Sequence, residues 1–107
     1  MAYYLVRARP LWEKLDQLRE KLDAGEIVRM RPFGRSLDDS LRRARLEHKQ
    51  VAIWEEEDYC RPPLAQERAA VLDHYFTDLT VTPVAAGQGW AQLDGLPSMW
   101  SRDDAES

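Results

Sequence analysis

The chain has 107 residues, 44% of them hydrophobic and 32% charged, which suits one globular domain with its own core and excludes an intrinsically disordered composition. No run approaches the roughly 20 apolar residues of a membrane span, so no membrane association is expected. The formal net charge of −4 disfavours nucleic acid as a partner for the whole domain, and the lone Cys60 allows neither an internal disulfide nor a Cys/His metal pattern.

In chain order, residues 2–8 (AYYLVRA) predict a first strand with Tyr4 and Val6 on one face. In MAYYLVRARP the arginines follow a short apolar run instead of preceding a longer one, unlike an export signal; a reducing cytoplasm is the expected compartment. Leu11, Leu15, Leu18 and Leu22 recur at helical spacing, and Gly25 stands where a left-handed cap is wanted, which predicts a helix over about 11–24. The segment 26–31 (EIVRMR) reads as a second strand broken by Pro32, Phe33 and Gly34. Ser36 can cap a helix over 36–47 that turns Leu37, Leu41 and Ala44 inward. Residues 50–54 (QVAIW) predict a third strand. A helix follows over about 64–76, burying Leu64 or Ala65, Ala69, Leu72 and Tyr75 or Phe76. The alternation of 79–84 (LTVTPV) gives a fourth strand, with Leu79 and Val81 inward and Pro83 confining it to a sheet edge.

These elements predict an α+β fold, a ferredoxin-like β-α-β-β-α-β sandwich with an extra helix between strands 2 and 3. One domain spans 1–100, including an irregular segment from about 85, and 101–107 form a disordered tail. Helices would cover one sheet face. The other face calls for a partner sheet, hence an expected homodimer through the sheet. Trp90, Leu93, Leu96, Met99 and Trp100 carry too much apolar surface for water, and either the chain's own sheet or a second subunit would cover them.

Charge is segregated. Residues 29–49 hold seven of the fifteen Lys and Arg against three acidic residues, and residues 50–107 sum to −8. Such a patch can concentrate anions. Arg29 and Arg31 alternate on the expected second strand, and Arg35 lies at a helix N-terminus; the planar forks of these three suit a carboxylate or phosphate. With Trp12 and Trp54 as apolar walls they define a candidate ligand cleft beside strand 2. Arg42, Arg43 and Arg45 are expected on a solvated helix face answering Glu55 to Asp58. Only Phe33 in this stretch could stack on a base, which further disfavours nucleic acid.

His74, with Tyr75 beside it, is the candidate acid or base, although a surface or partly buried place at a helix end is the favoured reading of this histidine. Acidic neighbours would raise the thiol pKa of Cys60 and leave it inert. No phosphate loop, nucleophile elbow or metal pattern is present, so neither metal nor cofactor is expected.

Arg9-Pro10 before the leucine-spaced helix, Asp23-Ala24-Gly25 leading into EIVRMR, the strand QVAIWEEE and the closing LTVTPV together resemble the YCII-related family over about residues 3–84. That resemblance implies a dimeric ferredoxin-like α+β barrel with a cleft near strands 2 and 3 and a His–Asp proton-transfer pair. The pair would fall at Trp12 and Asp73, and Trp transfers no protons, so it is not carried over. The expected function is binding of a small anionic or aromatic ligand near strand 2. The competing expectations are a cofactor-independent enzyme of the same barrel class and a protein–protein interaction module.

Overall fold

The computed structural model describes residues 2–101. Four strands form one sheet: β1 (Ala2–Pro10), β2 (Arg45–Glu47), β3 (Val51–Asp58) and β4 (Phe76–Val84), in the order β2-β3-β1-β4 with every neighbouring pair antiparallel. The fold is α+β, as expected. Among the described residues no helix is long and apolar enough to cross a membrane.

β1 leads through a short 3-10 turn (Trp12–Lys14) into α1 (Leu15–Asp23), whose Leu15, Leu18 and Leu22 are buried. Gly25, at φ +78°, ends it: the Glu26 N–H donates to the Lys21 carbonyl and the Gly25 N–H to the Leu22 carbonyl, a Schellman cap that uses the glycine's freedom at positive φ.

The expected second strand at 26–31 does not form. Those residues make consecutive turns closed by Met30 N–H to Ile27 carbonyl and Gly34 N–H to Met30 carbonyl bonds. Gly34 lets the turns pack tightly, since a Cβ there would sit 2.4 Å from the Ile27 carbonyl oxygen. The helix expected at 36–47 starts earlier and ends earlier, as α2 (Gly34–Arg43), without a side-chain cap from Ser36; Leu37, Leu41 and Ala44 are buried as the spacing predicts. β2 is therefore Arg45–Glu47, and the added helix precedes it instead of separating strands 2 and 3. A turn with positive φ at His48 and Lys49 joins β2 to β3, a twist that matches a hairpin and leaves both residues exposed.

β3 runs past the predicted QVAIW through all four acidic residues, because β1 pairs with it along its length, from Ala8↔Ala52 to Ala2↔Asp58. The next helix opens as α3 (Ala65–Glu67), widens into a π-helical stretch (Arg68–Leu72) and closes as α4 (Asp73–Tyr75). Leu72 is buried as expected and Val71 with it, while Ala69, expected inside, is exposed. β4 is an edge strand carrying Pro83, with Leu79 and Val81 against the core and Thr80 and Thr82 exposed.

Two apolar layers result. On one sheet face Val6, Ala8, Ala52, Trp54 and Phe76 pack with the leucines of α1 and α2 and with Val71, Leu72 and Tyr75. On the other, Leu5 and Ile53 are covered by Leu93, with Val84, Trp90 and Leu96 around them. The cover comes from the C-terminal segment of the same chain, beginning with α5 (Gln88–Gln92). That segment then wraps the β2 edge, where the Leu46 N–H donates to the Pro97 carbonyl and the Met99 N–H to the Ala44 carbonyl, and Trp100 Nε1 donates to the Leu41 carbonyl at 2.8 Å. It satisfies the backbone of an otherwise open edge. The tryptophan-bearing segment thus packs in cis, and no second sheet is needed to bury Leu5 and Ile53.

The strap is held by Glu55. Its buried carboxylate accepts backbone N–H bonds from Gly87 at 2.9 Å, Gly89 at 2.7 Å and Trp90 at 3.3 Å. Replacing Glu55 with Ala should lower unfolding stability by about 2 kcal/mol, the scale of charge-assisted bonds lost from a buried carboxylate. Urea denaturation measures it; an unchanged midpoint would refute this role for Glu55.

Candidate functional site

The structure places the sequence-derived ligand residues apart from one another. Arg29, Arg31 and Arg35 are all exposed, Arg29 reaching back to the Ala24 carbonyl and Arg35 lying in the first turn of α2. Without a strand at 26–31, the alternation that would have aligned Arg29 with Arg31 is missing. Trp54 is 0% exposed, its ring tilted against Phe76 with centroids 5.3 Å apart, and it donates its indole N–H to Glu56 Oε1 at 3.0 Å. It fills the core and offers no surface to a ligand. Trp12 is half-buried against the same core.

The other three arginines converge. Arg42, Arg43 and Arg45, from the end of α2 and the start of β2, line a groove of about 460 Å³ with Trp90, Leu93, Asp94 and Ser98 of the C-terminal segment. Each guanidinium is fixed. Arg42 binds Asp38 at 2.9 Å, Asp23 at 3.1 Å and the Leu22 carbonyl at 2.8 Å. Arg43 binds Asp39 at 3.1 Å and sits 4.1 Å from the centroid of the Trp90 ring. Arg45 donates to the Leu96 carbonyl. Their acidic partners are Asp23, Asp38 and Asp39, and not the expected Glu55 to Asp58. A guanidinium has five N–H donors, so Arg43 and Arg45 keep several unspent. A cation stacked on indole, beside donors in a fixed fork, suits a small anion, above all one with a planar body.

A second constellation lies at the far end of β3. Glu56 and Asp58 share the helix-side face of the strand, and α3 brings Glu67 to them; Glu56 and Glu67 are 0% exposed. Asp58 Oδ2 accepts from Leu64 N–H at 2.6 Å and Cys60 N–H at 3.1 Å. Leu64 takes a φ of +64° to donate that bond, a strained conformation for a bulky residue. Burial alone would raise the Asp58 pKa, but hydrogen bonds from Glu67 and from backbone N–H groups outweigh it and hold Asp58 below the usual Asp range. Glu67 goes the other way: burial first, then its hydrogen bond to ionised Asp58, pushes it up to about 7. Burial also drives Glu56 well above the usual range, against the opposing Trp54 N–H and reinforced by the charges of Glu67 and Asp58. The Gln66 N–H favours the Cys60 thiolate, yet burial and the same two carboxylates leave the thiol pKa raised, the direction its acidic neighbours predict. The donor atoms of Asp58, Cys60 and Glu67 lie within 4.8 Å of one another.

His74 and Tyr75 line a third groove, of about 310 Å³, with Lys14, Gln17, Lys21 and Met30 among its walls. His74 is exposed, and Tyr75, which it meets edge-on at 6.4 Å, is buried. The pair has a cavity, but no hydrogen bond joins the two side chains.

Sequence reasoning set Arg42, Arg43 and Arg45 aside as a solvated face and missed Glu67 altogether. Trp90 was the available signal for the first, an aromatic with no assigned neighbour. No local signal marks Glu67, whose burial follows from helix phase and from Asp58 lying opposite. No protein-family model, curated protein or solved structure matches the chain.

The carboxyl cluster makes stability depend on pH. Glu67 and Glu56 keep their protons to higher pH in the native state than unfolded, so the native state binds more protons from the ordinary value of 4.5 up to about 7. Stability should therefore fall as pH rises through that window. Asp58, held low, contributes the opposite sign only below its ordinary value of 3.8. Urea midpoints should decline across the window in the natural protein and decline less in Glu67→Gln. A midpoint that is flat or rises there would contradict the protonated assignment.

Proposed function

We propose that this domain binds a small planar anion, an aromatic carboxylate or a comparable group, in the groove between α2, β2 and the C-terminal segment. The observation that carries the reading is the Arg43 guanidinium held over the Trp90 ring, 4.1 Å from its centroid, in a groove that Arg42 and Arg45 also line. In this reading Arg43 and Arg45 supply the forked donors, Trp90 the stacking wall and Ser98 a hydroxyl, while Asp94 disfavours ligands carrying an anionic group at that end. This groove lies beside β2 (Arg45–Glu47) and not beside residues 26–31, where the sequence reading put the cleft, and it uses different arginines.

For the architecture, we propose the ferredoxin-like split. Its support is that β3 lies between β1 and β2 and that β1 lies between β3 and β4, all antiparallel. Within that proposal the YCII-related resemblance concerns architecture alone, since position 12 holds Trp and Asp73 is paired with Arg68 at 3.1 Å. The groove is complete within one chain, so binding needs no homodimer.

Thermal-shift and tryptophan-fluorescence titrations with benzoate, inorganic phosphate and a neutral aromatic amide test the reading. Benzoate should raise the melting temperature and perturb tryptophan emission. Arg43→Ala and Arg45→Ala should each weaken it by roughly tenfold, the scale of a lost charged hydrogen bond. A triple Ala replacement at Arg29, Arg31 and Arg35 should leave it unchanged. No stabilisation by either anion, or equal loss in the triple variant, would sink the proposal.

A further inference from the structure

We propose that Asp58, Cys60 and Glu67 bind a divalent metal ion of the zinc class at the edge of the groove beside Phe33 and Tyr59, with Glu56 behind them. This site is separate from the arginine groove and owes nothing to it.

Donor chemistry comes first. Two carboxylates and one thiol offer O, O and S atoms, all within 4.8 Å of one another. Zinc-class ions take carboxylate oxygen and cysteine sulfur together, in a tetrahedron whose neighbouring donors lie roughly 3.5 Å apart. Small side-chain rotations close the difference, and Cys60 Sγ already stands 3.8 Å from Glu67 Oε1. Calcium and magnesium prefer six or more oxygens and gain nothing from sulfur.

A second observation points to a missing cation. Glu56, 0% exposed, lies on the same strand face as Asp58, close enough for the charges of Asp58 and Glu67 to act on it. Its Oε2 has no hydrogen-bond partner, and neither has Oε2 of the fully buried Glu67. Buried carboxylate oxygens are normally satisfied, and a pair left open in one place can take a cation where each carboxyl otherwise holds a proton. No Lys or Arg supplies one: among the described residues every ion pair lies elsewhere. Glu56, protonated, lies outside the donor set, its other oxygen already held by Trp54.

An ion also has a way in. Asp58 and Cys60 line an open groove of about 290 Å³ with Pro32, Phe33, Ser36, Tyr59 and Gln66, which leaves one coordination position facing solvent. On binding, the Cys60 thiol and the Glu67 carboxyl both ionise, and their two protons pass to solvent.

The test uses cobalt(II) and zinc on the full chain. Cobalt should give a thiolate-to-metal charge-transfer band in the near ultraviolet together with intense visible bands of a four-coordinate ion, and zinc should displace it. Zinc should also raise the melting temperature. Cys60→Ser should abolish the charge-transfer band, and Glu67→Gln should weaken cobalt binding by at least about tenfold. Urea unfolding without metal shows whether each variant is folded; where Glu67→Gln is not, Asp58→Asn takes its place. Absence of the band in the natural protein overturns the proposal, as does a band that survives at equal affinity in a folded carboxylate variant, which marks Cys60 alone binding adventitiously.

Discussion

The pairing of β3 with β1 is the constraint from which the rest of this structure follows. Seven consecutive residue pairs, Ala8↔Ala52 to Ala2↔Asp58, carry β3 from its apolar start into four successive acidic residues. Covered on both faces, β3 is buried at every position but Val51 and Glu57, so Glu55, Glu56 and Asp58 lie buried. An ionised carboxylate is costly to bury without partners. Each must therefore be met by hydrogen bonds, a proton or a cation.

Strand alternation divides the acidic residues between two solutions. Glu55 faces the C-terminal segment and meets three backbone N–H groups, which turns a buried charge into an anchor. The anchored segment covers Leu5 and Ile53, closes the β2 edge and brings Trp90 beneath Arg43. Glu56 and Asp58 face the helices instead. There Asp58 is satisfied by the turn leading into α3, and Glu67 and Glu56 share what remains, with one oxygen of each unmatched.

The two candidate sites therefore have a common origin. The arginine groove exists because Glu55 fixes one of its walls, and the carboxyl cluster exists because Asp58 fixes the entry to the helix that carries Glu67. They differ in electrostatics. The groove presents guanidinium donors partly balanced by Asp23, Asp38, Asp39 and Asp94, which suits an anion held by geometry more than by net charge. The cluster presents acidic donors with no basic partner, which suits a cation.

Much of the fold was legible in the sequence. The leucine spacing of α1, the Gly25 cap, the inward face of α2 and the alternation of β4 with Pro83 at an edge all rest on local periodicity and turn chemistry, which the chain carries within a few residues. EIVRMR misled because β-propensity needs an available partner, and the place beside β3 belongs to Arg45–Glu47. The phase of the helix over 65–75 misled, because its buried face takes in Leu64, Glu67 and Val71, which leaves Ala69 exposed. The sites were less legible. Arg29, Arg31 and Arg35 were chosen on an alternation that the turns removed, whereas Arg42, Arg43 and Arg45 gained their groove from residues some fifty positions later in the chain. By itself the sequence determined an α+β domain, its amphipathic helices and a basic stretch set against an acidic one. Only the tertiary structure decided which arginines meet Trp90 and which carboxylates meet one another, because those meetings depend on strand partners and helix phase, and no local pattern encodes either.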